Sequence, residues 1–452
     1  MLNIKIDSRK VTKGDTFIAL RGNTVDGHDY IKQAINNGAT KIVCEEGNYD
    51  VETIVVENTE EYLKNYLTEN YSKELSTLKL IGVTGTNGKT TTCFLTYQIL
   101  NKLGMKTCYI GTIGCYFDDK KIELSNTTPD ILELYNLLLT AKENNCEVVV
   151  MEVSSHSISQ ERIKGLNFDV CAFTNLTQDH LDYHKTMENY CNTKVELINY
   201  LKDDGIIIVN TDDPYSKYFI CDKSLTLGTT GKDYKIENYV LNNTYTDINF
   251  KVKDKDYKIK TNLIGKFNIY NFLTSLALID NLNIEIEKIL SVVNDIHAPE
   301  GRAQIIKVGN SIAVVDYAHT PDAVSKIIDS FREVTKGKII TIVGCGGDRD
   351  PKKRPIMGNI ATENSDFVIF TNDNPRTEDE KQIMKDILNG VTKDNYIVEH
   401  DRRQAIKKGL EMLTNQDTLL ILGKGHEDYQ IIGREKTHLS DKEEVYKFIN
   451  NN

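Results

Sequence analysis

The stretch Gly82-Val83-Thr84-Gly85-Thr86-Asn87-Gly88-Lys89-Thr90-Thr91 has the residue types that hold a phosphate. Glycines let several backbone N–H groups converge on one anion, and a helix opening at the loop adds its positive end. Lys89 neutralises a terminal phosphate, and the Thr90 or Thr91 hydroxyl can ligate magnesium. Apolar Leu80, Ile81 and Val83 read as a buried strand before the loop, and the spacing from Thr91 to Leu103 reads as a helix after it. The common G-x-x-x-x-G-K-[ST] pattern wants glycine where this chain has Val83, flanked by Gly82 and Gly85.

Further chemistry sits at the ends of other strands. Glu147 to Glu152 reads as a fully buried strand ending in a carboxylate, the place for a magnesium ligand beside a phosphate loop; a solvent-facing strand end is the competing reading. The strand Val170 to Phe173 leads into Thr174 to His184, whose histidines and aspartates lack a thiolate and fit no common zinc spacing. His180 is therefore read as a magnesium-region or phosphate-region residue. Lys194, in a helix continuing from Tyr190, reads by itself as an ordinary surface lysine. In the last third, four strands run into polar loops at Asp316 to Pro321, Gly344 to Asp350, Asp373 to Arg376 and Gly423 to Glu427. Parallel strands would bring them to one edge. Arg349 replaces the third glycine of G-x-G-x-x-G, which argues against a dinucleotide cofactor.

The elements that must position these residues exceed a single core: 452 residues call for two to four domains. We expect an α/β protein of three domains. Residues 1–78 form a small N-terminal α/β domain, 79–298 a central P-loop ATPase-type domain on a parallel or mixed sheet, and 299–452 a C-terminal Rossmann-like α/β domain. Within the first, Asp7-Ser8-Arg9 and Arg21 to His28 are polar loops, more often turns than ligand sites. Alternation from Tyr234 to Lys260 predicts antiparallel hairpins. A net charge of −11 argues against general nucleic-acid binding. Nine cysteines with no C-x-x-C pair suggest reduced packing residues. No apolar run reaches membrane-span length and Met1 to Lys5 is not the start of a secretory signal, so a cytoplasmic protein is expected.

Taken together, Gly85 to Thr91, Met151 to His156, Asn175 to His180, Glu300-Gly301-Arg302, Asp316 to Pro321 and Gly423 to Glu427 resemble the Mur ligase family, in order and over nearly the whole chain. The resemblance implies a ligase that activates the side-chain carboxylate of D-glutamate with ATP as an acyl phosphate, which an amino-acid amine then attacks. It implies that Gly85, Thr86, Asn87, Gly88, Lys89, Thr90 and Thr91 cradle ATP, with Asn271, Arg302 and Asp316 contacting the nucleotide. Thr90, Glu152 and His180 would hold Mg2+ together with Lys194, which matches the family's carbamylated lysine. A carbamate is anionic, and its formation needs a lysine neutral often enough to meet carbon dioxide. Lys89, Lys194, His180 and Glu152 are thus the implied catalytic set. Ser8, Asn23, Thr24 and Val25 would hold the UDP-sugar, and Asn126, Thr127, Thr128, Ser154, Gln160 and Arg162 its sugar-peptide part. Asp373-Asn374-Pro375-Arg376 resembles the motif of members that choose meso-diaminopimelate, with Arg349, Gly423 and Glu427 as partners.

Rival readings are a ligase adding L-lysine, folylpolyglutamate synthetase, and, from another class, a nucleotide-gated binding module. The expected partners are ATP, a UDP-muramyl dipeptide and meso-diaminopimelate, with no nucleic acid, no membrane span and a monomeric chain. If Lys194 acts as a carbamate, Lys194→Ala abolishes turnover and added short carboxylates restore part of it; full activity of the alanine variant in a phosphate-release assay would remove the carbamate from the mechanism.

Overall fold

The computed structural model describes residues 2–22, 25–118, 120–242 and 245–451. The chain forms two compact units: Met1–Gly82, Gly104–Cys171 and Asn192–Ile206 make the first, and Val83–Leu103, Ala172–Cys191 and Ile207–Asn452 the second.

In the first unit, short strands Ile4–Lys5, Thr16–Ile18, Lys41–Cys44 and Glu52–Val55 form a parallel four-stranded sheet in that order. Phe17, Ile42 and Cys44 pack from it against Ile31 and Ala34 of the helix Ile31–Asn36. The apolar face of Ile131–Glu143, including Leu134, Tyr135 and Leu138, is buried. Asp130 starts that helix by accepting the Glu133 N–H, satisfying one of its orphan donors. The strand Val148–Glu152 is buried along its length, as a strand covered on both faces must be, and runs parallel to Thr107–Gly111. The latter turns back antiparallel into Gly114–Phe117.

In the second unit, the helix Lys89–Lys102 lies beside Lys266–Asp280, joined in the buried seam by Thr96 Oγ1 donating to Ser275 Oγ at 2.9 Å. The predicted hairpins appear as Tyr234–Leu241, Thr246–Val252 and Lys255–Thr261, all antiparallel. The C-terminal part holds a six-stranded sheet in the order Gln304–Val308, Ser311–Asp316, Thr418–Leu422, Ile339–Val343, Phe367–Phe370, Tyr396–Val398. Only the first strand is antiparallel. The four strands expected to carry loops are therefore parallel neighbours, and their carboxyl ends share one edge.

That edge is braced from behind. Arg402 and Asp441 are both fully buried and form a bidentate pair, 2.7 Å on each branch. Arg402 also donates to the Leu422 carbonyl at 3.0 Å, pinning the strand end that precedes Gly423. The nine cysteines are free thiols, all but Cys221 buried, as the composition suggested. Among the described residues no helix is long and apolar enough to cross a membrane. Removing one partner of a buried pair strands the other charge, so Arg402→Leu is expected to cost about 3–5 kcal/mol. Hydrogen exchange of the Thr418–Leu422 amides measures this, and protection equal to the parent chain would contradict it.

Candidate functional site

The phosphate loop leaves the strand Lys79–Thr84 and enters its helix through Gly88, whose φ of 88° is left-handed. A methyl on Gly88 would sit 2.5 Å from Asn271 Oδ1, and one on Gly85 would overlap Thr174 Oγ1. Both glycines are thus required by close approach as well as by backbone angle. The loop is strapped to the segment after Phe173. Thr86 N–H donates to the Asn175 carbonyl at 2.8 Å and Asn87 N–H to Asn175 Oδ1 at 3.0 Å. Thr174 Oγ1 and Asn175 Nδ2 donate back to the Asn87 carbonyl at 2.7 and 3.0 Å. Lys89 folds over the turn, its Nζ 2.8 Å from the carbonyls of both Gly85 and Thr86. Thr90 and Thr91 are buried at the start of the helix.

Asn271 lies against this loop, its Oδ1 accepting from Thr92 Oγ1 at 3.4 Å while its Nδ2 donates to Asn268. Asp316 sits at the end of Ser311–Asp316 and accepts the N–H groups of Ala303 and Ala318 at 2.6 and 2.8 Å. Enclosure raises its carboxyl above the ordinary aspartate value although the residue keeps partial exposure; neighbouring Arg302 and those two N–H groups oppose the rise. Arg302 stacks on Tyr317, 4.6 Å from the ring centroid, and its buried Nε has no hydrogen-bond partner among the described residues. A buried donor left over in this way is what a phosphate- or base-bearing ligand would satisfy. These residues fit a nucleoside triphosphate.

At the C-terminal sheet edge, Asn374 Nδ2 donates to Glu427 Oε2 at 2.9 Å, and Lys424 Nζ contacts Glu427 Oε2 at 3.2 Å and Asn374 Oδ1 at 3.3 Å. Gly423, at φ 114°, lets Asp373 come close, since a Cβ there would lie 2.7 Å from Asp373 Oδ2. Arg376 is half-buried, not a freely solvated side chain after Pro375. It donates to the Gly347 carbonyl at 2.9 Å, drawing the Gly344 loop onto the Asp373 loop. Arg349 donates to the Asp348 carbonyl at 3.0 Å. Beneath them Arg354, unread in the sequence, is buried and bound twice to Glu378 at 2.6 Å and to Asp386 at 2.8 Å. Glu378 in turn accepts the Asp348 N–H.

In the first unit, Glu152 is fully buried, not a solvent-facing strand end: its Oε1 accepts from Tyr109 OH and Thr112 N–H at 2.7 and 2.8 Å. Thr128 Oγ1 lies 3.3 Å from Ser154 Oγ, and Arg162 donates to the Thr128 carbonyl and to Gln160 Oε1. Thr127 joins the cluster through Thr112, whereas Asn126 is exposed. Ser8 is buried with its hydroxyl donating to Gln33, and Val25 is exposed; Asn23 and Thr24 lie outside the described residues.

Lys194 is the clearest departure. It is 1 % exposed, so its reading as a surface lysine is wrong. His180 has φ 53° and stands beside Asp179, half open to solvent. Of the residues proposed for magnesium, Glu152 and Lys194 belong to the first unit and Thr90 and His180 to the second. Carboxylate, hydroxyl and carbamate offer oxygen donors suited to a hard cation, whereas the imidazole of His180 offers a nitrogen. Three or more His, Cys, Asp or Glu side chains do not cluster as a metal site among the described residues.

Family models match three stretches: Mur ligase family, catalytic domain, over residues 2–76; Mur ligase middle domain over 83–279; and Mur ligase, glutamate ligase domain, over 301–425. A Clostridium acetobutylicum protein named UDP-N-acetylmuramoyl-L-alanyl-D-glutamate–2,6-diaminopimelate ligase 1 is 41 % identical, covering 99 % of this chain and 94 % of its own. A Fusobacterium nucleatum protein named as the same ligase is 43 % identical over 97 % of this chain and 92 % of its own. A solved structure so named superposes with a TM-score of 0.70 at 31 % identity, covering 99 % of this chain and 94 % of that one.

Gly88→Ala is expected to weaken ATP binding at least about tenfold, because a methyl must displace the Asn271 amide at a strained φ. Gly104→Ala, at φ 84° but with nothing within 4 Å, should leave the affinity unchanged. Calorimetric titration of both variants checks this; equal affinities would mean that the Gly88 contact does not shape the site.

Proposed function

The chain belongs to the Mur ligase family, and from that premise we propose that it joins meso-2,6-diaminopimelate to UDP-N-acetylmuramoyl-L-alanyl-D-glutamate at the expense of ATP, a step of peptidoglycan precursor synthesis. The observation that carries the reading is identity of about two residues in five, along essentially the full length, with relatives bearing that name. The Asp373 to Arg376 loop agrees with it, offering a guanidinium beside carboxylates to an amino acid that carries both charges at its distal end. No specific observation favours the lysine-adding ligase, the folate ligase or the gated module.

In this reading the D-glutamate side-chain carboxylate attacks the terminal phosphorus of ATP and ADP leaves. The diaminopimelate amine then attacks the acyl phosphate, loses a proton and expels phosphate. Bringing two anions together requires cations and donors already in place, which the Gly85 to Thr91 loop and Lys89 supply. Thr90, Glu152, His180 and carbamylated Lys194 are the residues that would hold Mg2+, which would supply charge neutralisation. Asn271, Arg302 and Asp316 hold the nucleotide. Ser8, Asn23, Thr24 and Val25 hold the UDP-sugar, and Asn126, Thr127, Thr128, Ser154, Gln160 and Arg162 its sugar-peptide part. Arg349, Asp373, Asn374, Pro375, Arg376, Gly423 and Glu427 receive diaminopimelate. We assign domains at 1–78, 79–298 and 299–452, supported by the three family matches, and a monomer working in the cytoplasm on small-molecule substrates.

The test is an amino-acid panel. Phosphate release should require both the UDP-linked dipeptide and meso-diaminopimelate, with L-lysine poorer by roughly a hundredfold, because a half-buried guanidinium left without its carboxylate penalises the ligand that lacks it. Arg376→Ala should raise KM for diaminopimelate far more than KM for ATP. Turnover without the dipeptide, or equal use of lysine, would overturn the assignment.

A further inference from the structure

Lys424 is buried with a side-chain exposure of 0 %, yet none of the roles assigned above uses it. An ammonium is expensive to bury and is retained only where its partners repay the desolvation. Its partners here are two residues of the diaminopimelate site: Nζ lies 3.2 Å from Glu427 Oε2 and 3.3 Å from Asn374 Oδ1. Asn374 is itself 1 % exposed and could present its amide either way round. Its Oδ1 accepts from Lys424 and from the Ile431 N–H at 3.0 Å, and its Nδ2 donates to Glu427. An ammonium only donates, so Lys424 forces the amide oxygen inward and the NH2 group toward Glu427. Both of these donors converge on Glu427 Oε2 and so fix the turn of its carboxylate.

Resting on the ligase reading, we propose that Lys424 is a positioning residue for the amino-acid substrate, fixing the Asn374 amide and the Glu427 carboxylate in the orientation that receives the zwitterionic end of diaminopimelate. Tyr429 flanks the ammonium at 5.3 Å, while Lys436 lies 3.9 Å from the same ring and, among the described residues, makes no hydrogen bond to Asn374 or Glu427. Lys436 is therefore the natural control.

Steady-state kinetics on the full chain tests the proposal. Lys424→Met should raise KM for diaminopimelate about tenfold or more while KM for ATP and for the UDP-linked dipeptide stay within about twofold. Lys424→Gln, which keeps a donor but no charge, should fall between, and Lys436→Met should match the parent. An unchanged diaminopimelate KM, or an equal rise in all three constants, overturns the proposal. Should the methionine variant lose hydrogen-exchange protection, the glutamine variant decides by the same criterion. A parent chain that forms no product with any amino acid would sink the ligase reading instead, a separate result from unaltered kinetics in the Lys424 variants.

Discussion

The contact on which the rest depends is the close approach of the phosphate loop to the segment Thr174 to Thr177. The loop's N–H and C=O groups at Thr86 and Asn87 are tied to Asn175 and Thr174, and glycine at 85 and 88 is what lets the two backbones and Asn271 come together. A second tier holds the strap: Asn210 Nδ2 donates to the Thr174 carbonyl at 2.7 Å and Asp213 accepts the Leu176 N–H at 3.0 Å. A loop held from outside does not have to be ordered by its ligand, so less binding energy is spent on organisation. Asp322, at the start of the helix Pro321–Arg332, accepts from Asn87 Nδ2 and Thr177 Oγ1, each at 3.1 Å, and so joins the loop to the C-terminal part of the same unit.

The amino-acid edge follows a different rule. Here the anchors are buried cations: Arg354 under the Gly344 loop, Arg402 behind Leu422 and Lys424 between Asn374 and Glu427. Each is tied to a carboxylate, and each touches a loop or strand end that carries a proposed binding residue. Such pairs add little net stability compared with apolar packing, but breaking one is costly, so they fix geometry more than they deepen the fold. For a reaction that must present an amine to a short-lived anhydride, geometry is the scarcer quantity.

Much of this was legible in the residues. Parallel strands announced themselves as apolar runs ending in polar loops, and Ile339–Val343, Phe367–Phe370 and Thr418–Leu422 lead into three of the loops expected of them. The phosphate loop was readable because glycine, lysine and threonine recur there for reasons of backbone chemistry. Lys194 was not, since nothing local distinguishes a buried lysine from a solvated one; only the resemblance marked it. Arg354 and Lys424 escaped for a similar cause: their partners Glu378, Asp386 and Asn374 are distant in sequence or reached only through a turn, and no periodicity links them. The G-K-G-H-E run was the available signal for Lys424, a lysine fixed between two left-handed glycines.

In the proposed reaction an acyl phosphate forms before the amide bond. That intermediate leaves a permanent trace, because the oxygen joining carbon to phosphorus comes from the D-glutamate carboxylate and departs with phosphate. Turnover with the dipeptide substrate labelled with 18O in that carboxylate should place one labelled oxygen in each phosphate released, read by mass spectrometry. Phosphate free of label in the presence of amide product would contradict it.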